Sequence, residues 1–264
     1  MEKGPKYGYF AKPSKCILVT KPERVAKAQE IFKGTDVCVQ TEGAKDSGVE
    51  INIEGTRHLG AAIGTKDFKA TYVQKKIDGW STSISKLSMI AASQPHAAFA
   101  TFTHCMQSQW NFLARSMPDL AELFVKLEEV ILMDFLPALL RRDLSPLERD
   151  VLSLPARLGG LGIPKPNVEC VNAHENSVKL STPLIRLVLR QEKHLNPEDL
   201  RMEIFHGRNQ IEQETEKLQK MKREQILERA KPELKLAMKT TIEKGASSWV
   251  TSSALHEHRT VLHK

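Results

Sequence analysis

The sequence predicts an α+β chain: a small α/β part with a β-hairpin, followed by a mostly α-helical remainder. Two observations carry that expectation. Short β-rich runs, one with strict period-two alternation (Val49-Glu50-Ile51-Asn52-Ile53), are concentrated in residues 1–64. After Gly64, apolar residues recur at three- and four-residue spacing. Composition agrees, because 41% hydrophobic and 27% charged residues over 264 positions suit a folded chain rather than a disordered one. No apolar run is long enough to span a bilayer. The leading MEKGPKYGYF carries charge with no hydrophobic stretch behind it. A secretory leader is therefore not expected, and an intracellular location is.

Ile17-Leu18-Val19-Thr20 reads as a strand ended by Lys21-Pro22. Pro22 fits the first turn of a helix, and Glu23 to Phe32 continues it until Gly34. Val37-Cys38-Val39 and Val49 to Ile53 read as two further strands in a hairpin-like meander, with Glu42 to Ser47 as the turn. Leu59-Gly60-Ala61-Ala62-Ile63-Gly64 is another short apolar run bracketed by glycine.

Helical spacing begins at Lys66, with Tyr72, Val73, Ile77, Trp80, Ile84, Leu87 and Ile90 on one pattern and a break expected near Gly79. Pro95 opens a long helical stretch to Arg115, and Pro118 opens another through Leu139. Ser145-Pro146-Leu147-Glu148 has the form of a capping box with proline at the first helical position. Asn167 to Glu192 is expected to be helical with a break at Pro183. Asn209 to Lys244 is the most charged stretch, with an imperfect apolar seam (Ile211, Leu218, Met221, Ile226, Leu227, Leu234) interrupted at Pro232. That seam suits an amphipathic helix docked on the body, and the charged face is a surface for a partner protein. The expected divisions are 1–64, 65–166 and 167–264, with the long charged helix near 209–244.

Net charge is +7, and residues 1–33 hold eight Lys/Arg against three Glu. A basic leader of this kind suits a polyanion, and it equally suits a solvated lysine surface. Lys12 and Lys15 interleave with Tyr7, Tyr9 and Phe10, a mix that can hold phosphates while rings stack on bases or that can simply defend a strand edge. The four cysteines are scattered with no C-x-x-C pair, which excludes a zinc ribbon and leaves reduced, mostly buried thiols.

There is no Asp-Asp pair, and Asp134, Asp143 and Asp150 read as salt-bridge partners. No G-x-G-x-x-G, G-x-x-x-x-G-K-[ST] or G-x-S-x-G occurs. His104 and Cys105 are adjacent, so on a helix they point about 100° apart and cannot act as a base–nucleophile pair. His256, His258 and His263 lack a fourth ligand for a metal. No metal or cofactor is expected. The stretch PARLGGLGIP (155–164) has glycine next to arginine, but leucines flank the glycines and no Lys-Ser/Thr follows, so it reads as a tight apolar turn. Arg157 within it suits either a salt bridge or a phosphate contact.

Four short motifs occur in order: Lys12-Pro13-Ser14-Lys15-Cys16 before the strand ILV, Arg57-His58-Leu59-Gly60-Ala61-Ala62-Ile63-Gly64, LPARLGGLGIP, and the closing Gly245-Ala246-Ser247-Ser248-Trp249 to Leu262-His263-Lys264. The set resembles the C-terminal part of reverse transcriptases (RNA-directed DNA polymerases) of eukaryotic retrotransposons: palm edge, primer grip, thumb and post-thumb region. The resemblance implies a palm remnant over 1–64, a helical thumb-like region over 65–166, and a post-thumb region over 167–264. It implies that Lys15 matches the palm lysine near the incoming nucleotide's phosphates and that His58, Leu59 and Gly60 match the primer grip. Arg141 and Arg142, at the end of a long helix, suit phosphate contacts or the helix dipole. Arg157 stays open between a salt bridge and a phosphate, and Lys12 joins them as a cation of the basic leader. The partner implied is a primer–template duplex.

The family's Tyr-x-Asp-Asp box belongs upstream of Lys15, where fourteen residues without aspartate stand instead. Two-metal phosphoryl transfer needs those carboxylates. The expectation is a fragment of a truncated element, with Met1 as an internal start, that binds primer–template without polymerising alone. Two rivals are a helical interaction module co-opted from a retroelement and a polymerase subunit completed in trans.

Overall fold

The structure is a computed structural model that describes residues 17–33, 39–41, 49–191 and 196–243. It is α+β and mostly helical, as expected, and it falls into two compact units, residues 1–76 and 77–264.

In the first unit, β1 (Ile17–Val19) leads through a short 3-10 turn at Pro22–Arg24 into α1 (Val25–Phe32). Strands β2 (Val39–Thr41) and β3 (Val49–Asn52) follow, and the sheet order is β1-β3-β2 with both pairings parallel. The register sets Leu18 opposite Ile51 and Gln40 opposite Glu50. The meander expected between β2 and β3 is therefore corrected to a parallel pair. Alternating hydrophobicity identifies a strand but is blind to its direction.

The Asn52 side chain accepts the N–H groups of Glu54 (2.9 Å) and Gly55 (2.8 Å), which turns the chain into the next strand. A separate antiparallel hairpin joins β4 (Gly55–His58) and β5 (Ala61–Gly64), with His58 opposite Ala61. Thr65 starts the next helix, its hydroxyl accepting the Phe68 N–H at 3.2 Å. That helix, α2 (Lys66–Ala91), runs unbroken through Gly79, so the expected interruption is corrected. One exposed glycine costs about 1 kcal/mol, which burial of Val73, Ile77, Ile84 and Leu87 along the same helix outweighs.

The second unit packs α3 (Pro95–Thr101), α4 (Asn111–Ser116), α5 (Val125–Val130) and α6 (Leu136–Leu140) around an aromatic core. The long helix expected over 95–115 is interrupted by a π-helical turn at Phe102–Met106, and a second π turn occupies Ile131–Phe135. The two turns face each other through Phe102 and Phe135, stacked at 4.5 Å with 18° between planes. An extra residue per turn rotates the apolar stripe, and here it carries both rings to one point. Trp80 meets Trp110 and Phe124 edge-on at 6.1 and 6.4 Å. Helix α5 begins at Val125 rather than at Pro118, because Asp119 sits in the left-handed region (φ 59) and breaks the pattern.

Helix α7 (Pro146–Ser153) opens on the expected capping box, Ser145 and Glu148 bonding reciprocally. Helix α8 (Pro166–Arg190) continues through Pro183, correcting the expected break. The proline removes one ladder donor, while Ser181 and Thr182 hydroxyls donate to Ser177 and Val178 carbonyls just before it. Helix α9 (Pro197–Arg229) ends before Pro232, which opens α10 (Pro232–Thr240). Only the later part of the expected apolar seam docks: Ile226 is buried with Val151, Leu154 and Met238, and Leu158, Leu227 and Leu234 pack on them, whereas Leu218 and Met221 are exposed. Each fully buried side chain of this size contributes about 1.5–3 kcal/mol. Among the described residues no helix is long and apolar enough to cross a membrane.

Candidate nucleic-acid interface

The β4–β5 hairpin turns on two residues, Leu59 (φ 48) and Gly60 (φ 91). Positive φ at both positions is the signature of a type I′ turn, whose twist matches that of paired strands. Glycine meets that demand at no cost at position 60, whereas Leu59 is held in a region costing roughly 1–2 kcal/mol for an L-residue. Leu59 gains no burial in return, being 85% exposed. His58 is exposed beside it. The turn is pinned from α2, where the Tyr72 hydroxyl donates to the Gly60 carbonyl at 2.8 Å. The structure thus brings His58, Leu59 and Gly60 together on one rigid, exposed tip.

The expected arginines have separate partners. Arg141 ends α6 in the left-handed region and donates to the Ala92 carbonyl at 3.3 Å. Arg142 pairs with Glu148 at 2.6 Å. Arg157, exposed on the turn after α7, donates to the Gln219 side chain on α9 at 2.8 Å. All three guanidinium groups remain solvent-facing, so phosphate contact means exchanging or sharing those bonds. Lys12 and Lys15 lie outside the described residues, as do the three C-terminal histidines and the closing motif.

PARLGGLGIP uses its own amides. The N–H groups of Gly159 and Gly160 donate to Ala156 and Pro155 carbonyls, those of Leu161 and Ile163 to Leu152, and that of Gly162 to Leu154. An anion cradle needs such amides pointing outward, and these point inward. A Cβ at Gly160 would collide with the Leu154 carbonyl, which explains glycine there.

The exit of this turn is held by Arg149, a residue that sequence reasoning does not single out. It is 1% exposed and grips Glu128 with two bonds (2.7 and 2.8 Å) while donating to the carbonyls of Ile163 (2.7 Å) and Pro164 (3.1 Å). Four good bonds satisfy a charge that would otherwise be prohibitive to bury. An arginine one turn into a helix otherwise looks like a surface residue.

Between α4, α8 and α9 lies a cleft of about 900 Å³ with a mixed apolar and polar lining, in which the cations Arg115, Lys179, Lys222 and Arg229 are matched by the carboxylates Asp150, Glu169, Glu175 and Glu214. Lys179 pairs with Glu214 at 3.1 Å, and Asp150, as expected of it, pairs with Lys165 at 2.7 Å. Lys222 donates to the Ser153 hydroxyl at 2.9 Å. Burial pushes the Lys222 ammonium below the ordinary lysine range, with Lys165 and Arg149 adding to that push and Asp150 and Glu169 opposing it. Cys170 is buried, and burial pushes its thiol up, whereas Cys105 is exposed, against the expectation of a buried thiol. Asp134 accepts from the Ser85 hydroxyl at 3.0 Å.

No family model, curated protein or solved structure matches this chain.

Proposed function

We propose that this chain is a nucleic-acid-binding fragment derived from a retrotransposon reverse transcriptase, without polymerase activity of its own. The observation that carries the reading is the β4–β5 tip. A leucine kept in a strained conformation with its side chain in solvent has no role in packing. Its motif resembles a primer grip, where a backbone turn approaches a strand closely. Lys15 and Lys12 would add charge ahead of it, and Arg141, Arg142 and Arg157 would meet backbone phosphates. No Asp-Asp pair stands anywhere in the 264 residues to hold two metal ions for phosphoryl transfer.

A primer-extension assay with the purified chain should show no incorporation, while fluorescence anisotropy should show a primer–template duplex bound. Leu59→Gly separates function from folding. It should stabilise the chain by about 1 kcal/mol in urea unfolding, because glycine tolerates the turn, and weaken duplex binding several-fold. Unchanged affinity in Leu59→Gly would remove the tip from the interface.

A further inference from the structure

Helix α8 keeps an apolar face in solvent. Helices α4 and α5 pack on this helix, and Pro166 and Cys170 in its first turns are buried. Five turns further along the same line of the helix, Leu184 and Val188 stand exposed. On the adjoining face Val171, Val178 and Ile185 recur at every seventh residue, and Leu189 extends that line. These six side chains are between 46% and 77% exposed. Together they present on the order of 600 Å² of apolar surface, the upper end of what a monomer leaves in one patch and about the apolar part of one side of a standard interface.

The charges beside this line are ordered along the helix. One flank carries Glu175, then Lys179 and Arg186, all exposed. Lys179 reaches Glu214 at 3.1 Å and Arg186 reaches Glu203 at 3.8 Å, both at the surface, so each cation stays open to a second carboxylate. A parallel copy of α8 would set Glu175 against Glu175 and Lys179 against Lys179. An antiparallel copy sets Glu175 against Lys179 twice and opposes the two helix dipoles.

We propose that this face is a self-association surface, on which α8 of a second copy of the chain packs antiparallel across a two-fold axis near Val178. Val171 then meets Ile185 of the second copy, and Val178 meets its own counterpart, so one patch serves both copies. β-branched side chains suit such a seam, because they have little χ1 freedom to lose on packing. This inference is independent of the nucleic-acid reading.

The test is sedimentation equilibrium of the full chain, without nucleic acid, from about 1 to about 100 μM. The mass should rise with concentration from 29.7 kDa toward that of a dimer. Val178→Glu puts two like charges at the axis and should weaken the dimer at least about tenfold. Its helix content by circular dichroism should stay that of the unaltered chain, because Val178 is half exposed. Glu175→Lys alone and Lys179→Glu alone should each weaken the dimer about threefold to tenfold, and the two together should recover most of that loss. A single 29.7 kDa species at every concentration overturns the proposal. So does a dimer that tolerates Val178→Glu, since its contact then lies elsewhere. A double reversal weaker than either single one overturns the antiparallel arrangement.

Discussion

Glu148 shows how one side chain ties a helix start to pH. The Ser145 backbone N–H, then its hydroxyl and the Arg142 guanidinium, hold the Glu148 carboxyl below the usual carboxylate range, against an opposing effect of burial. A lowered folded-state value means that the ionised group stabilises the fold fully above its unfolded value, about 4.3. That contribution is lost as pH falls through the folded value. Glu148→Gln should therefore cost roughly 0.5–1 kcal/mol at pH 7. The difference from wild type should shrink progressively below about pH 4.5, and urea unfolding at several pH values measures it. Arg142, an expected phosphate contact, is part of this same cluster. Sequence spacing reveals the capping box, since its partners are three residues apart. It cannot reveal Arg149–Glu128 or Tyr72–Gly60, whose members are 21 and 12 residues apart and meet only after the chain has packed.

At the scale of elements, glycines divide into those that the backbone requires and those that it tolerates. Gly160 lies against the Leu154 and Val151 carbonyls, while Gly79 on α2 has nothing within 4 Å of its absent Cβ. Gly160→Ala should thus destabilise by about 3 kcal/mol through forced displacement of the turn. Gly79→Ala should stabilise by about 1 kcal/mol through helix propensity. Thermal or urea unfolding of the two variants gives opposite signs if these elements are as described. Hydrophobic period and caps make most helices legible in advance, as α2, α7 and α10 show. The departures have local causes: two π turns that shift the stripe by a residue, a left-handed Asp119, and a proline carried inside α8. Period and caps do not encode where an extra residue is accommodated; the Phe102–Phe135 stack decides that, and it is a tertiary contact.

For the whole molecule, the α+β class and the helical majority are legible from periodicity alone, whereas strand direction is not. The hairpin tip is marked in the sequence only through the primer-grip resemblance, because its residues by themselves read as a short apolar run bracketed by glycine. Its strain and its anchoring from Tyr72 are not marked at all, and neither is the cleft, which needs α4, α8 and α9 in place before Lys222 is desolvated. The central claim is that exposed cations of this chain displace counterions from a nucleic-acid backbone. The most direct measurement is the affinity for a primer–template duplex as a function of salt, by fluorescence anisotropy. If three of the expected cations each neutralise one phosphate, log K falls against log salt with a slope of about −2.7. The combined replacement Arg141→Ala, Arg142→Ala, Arg157→Ala flattens it correspondingly. A slope near zero for the unaltered chain would contradict the account.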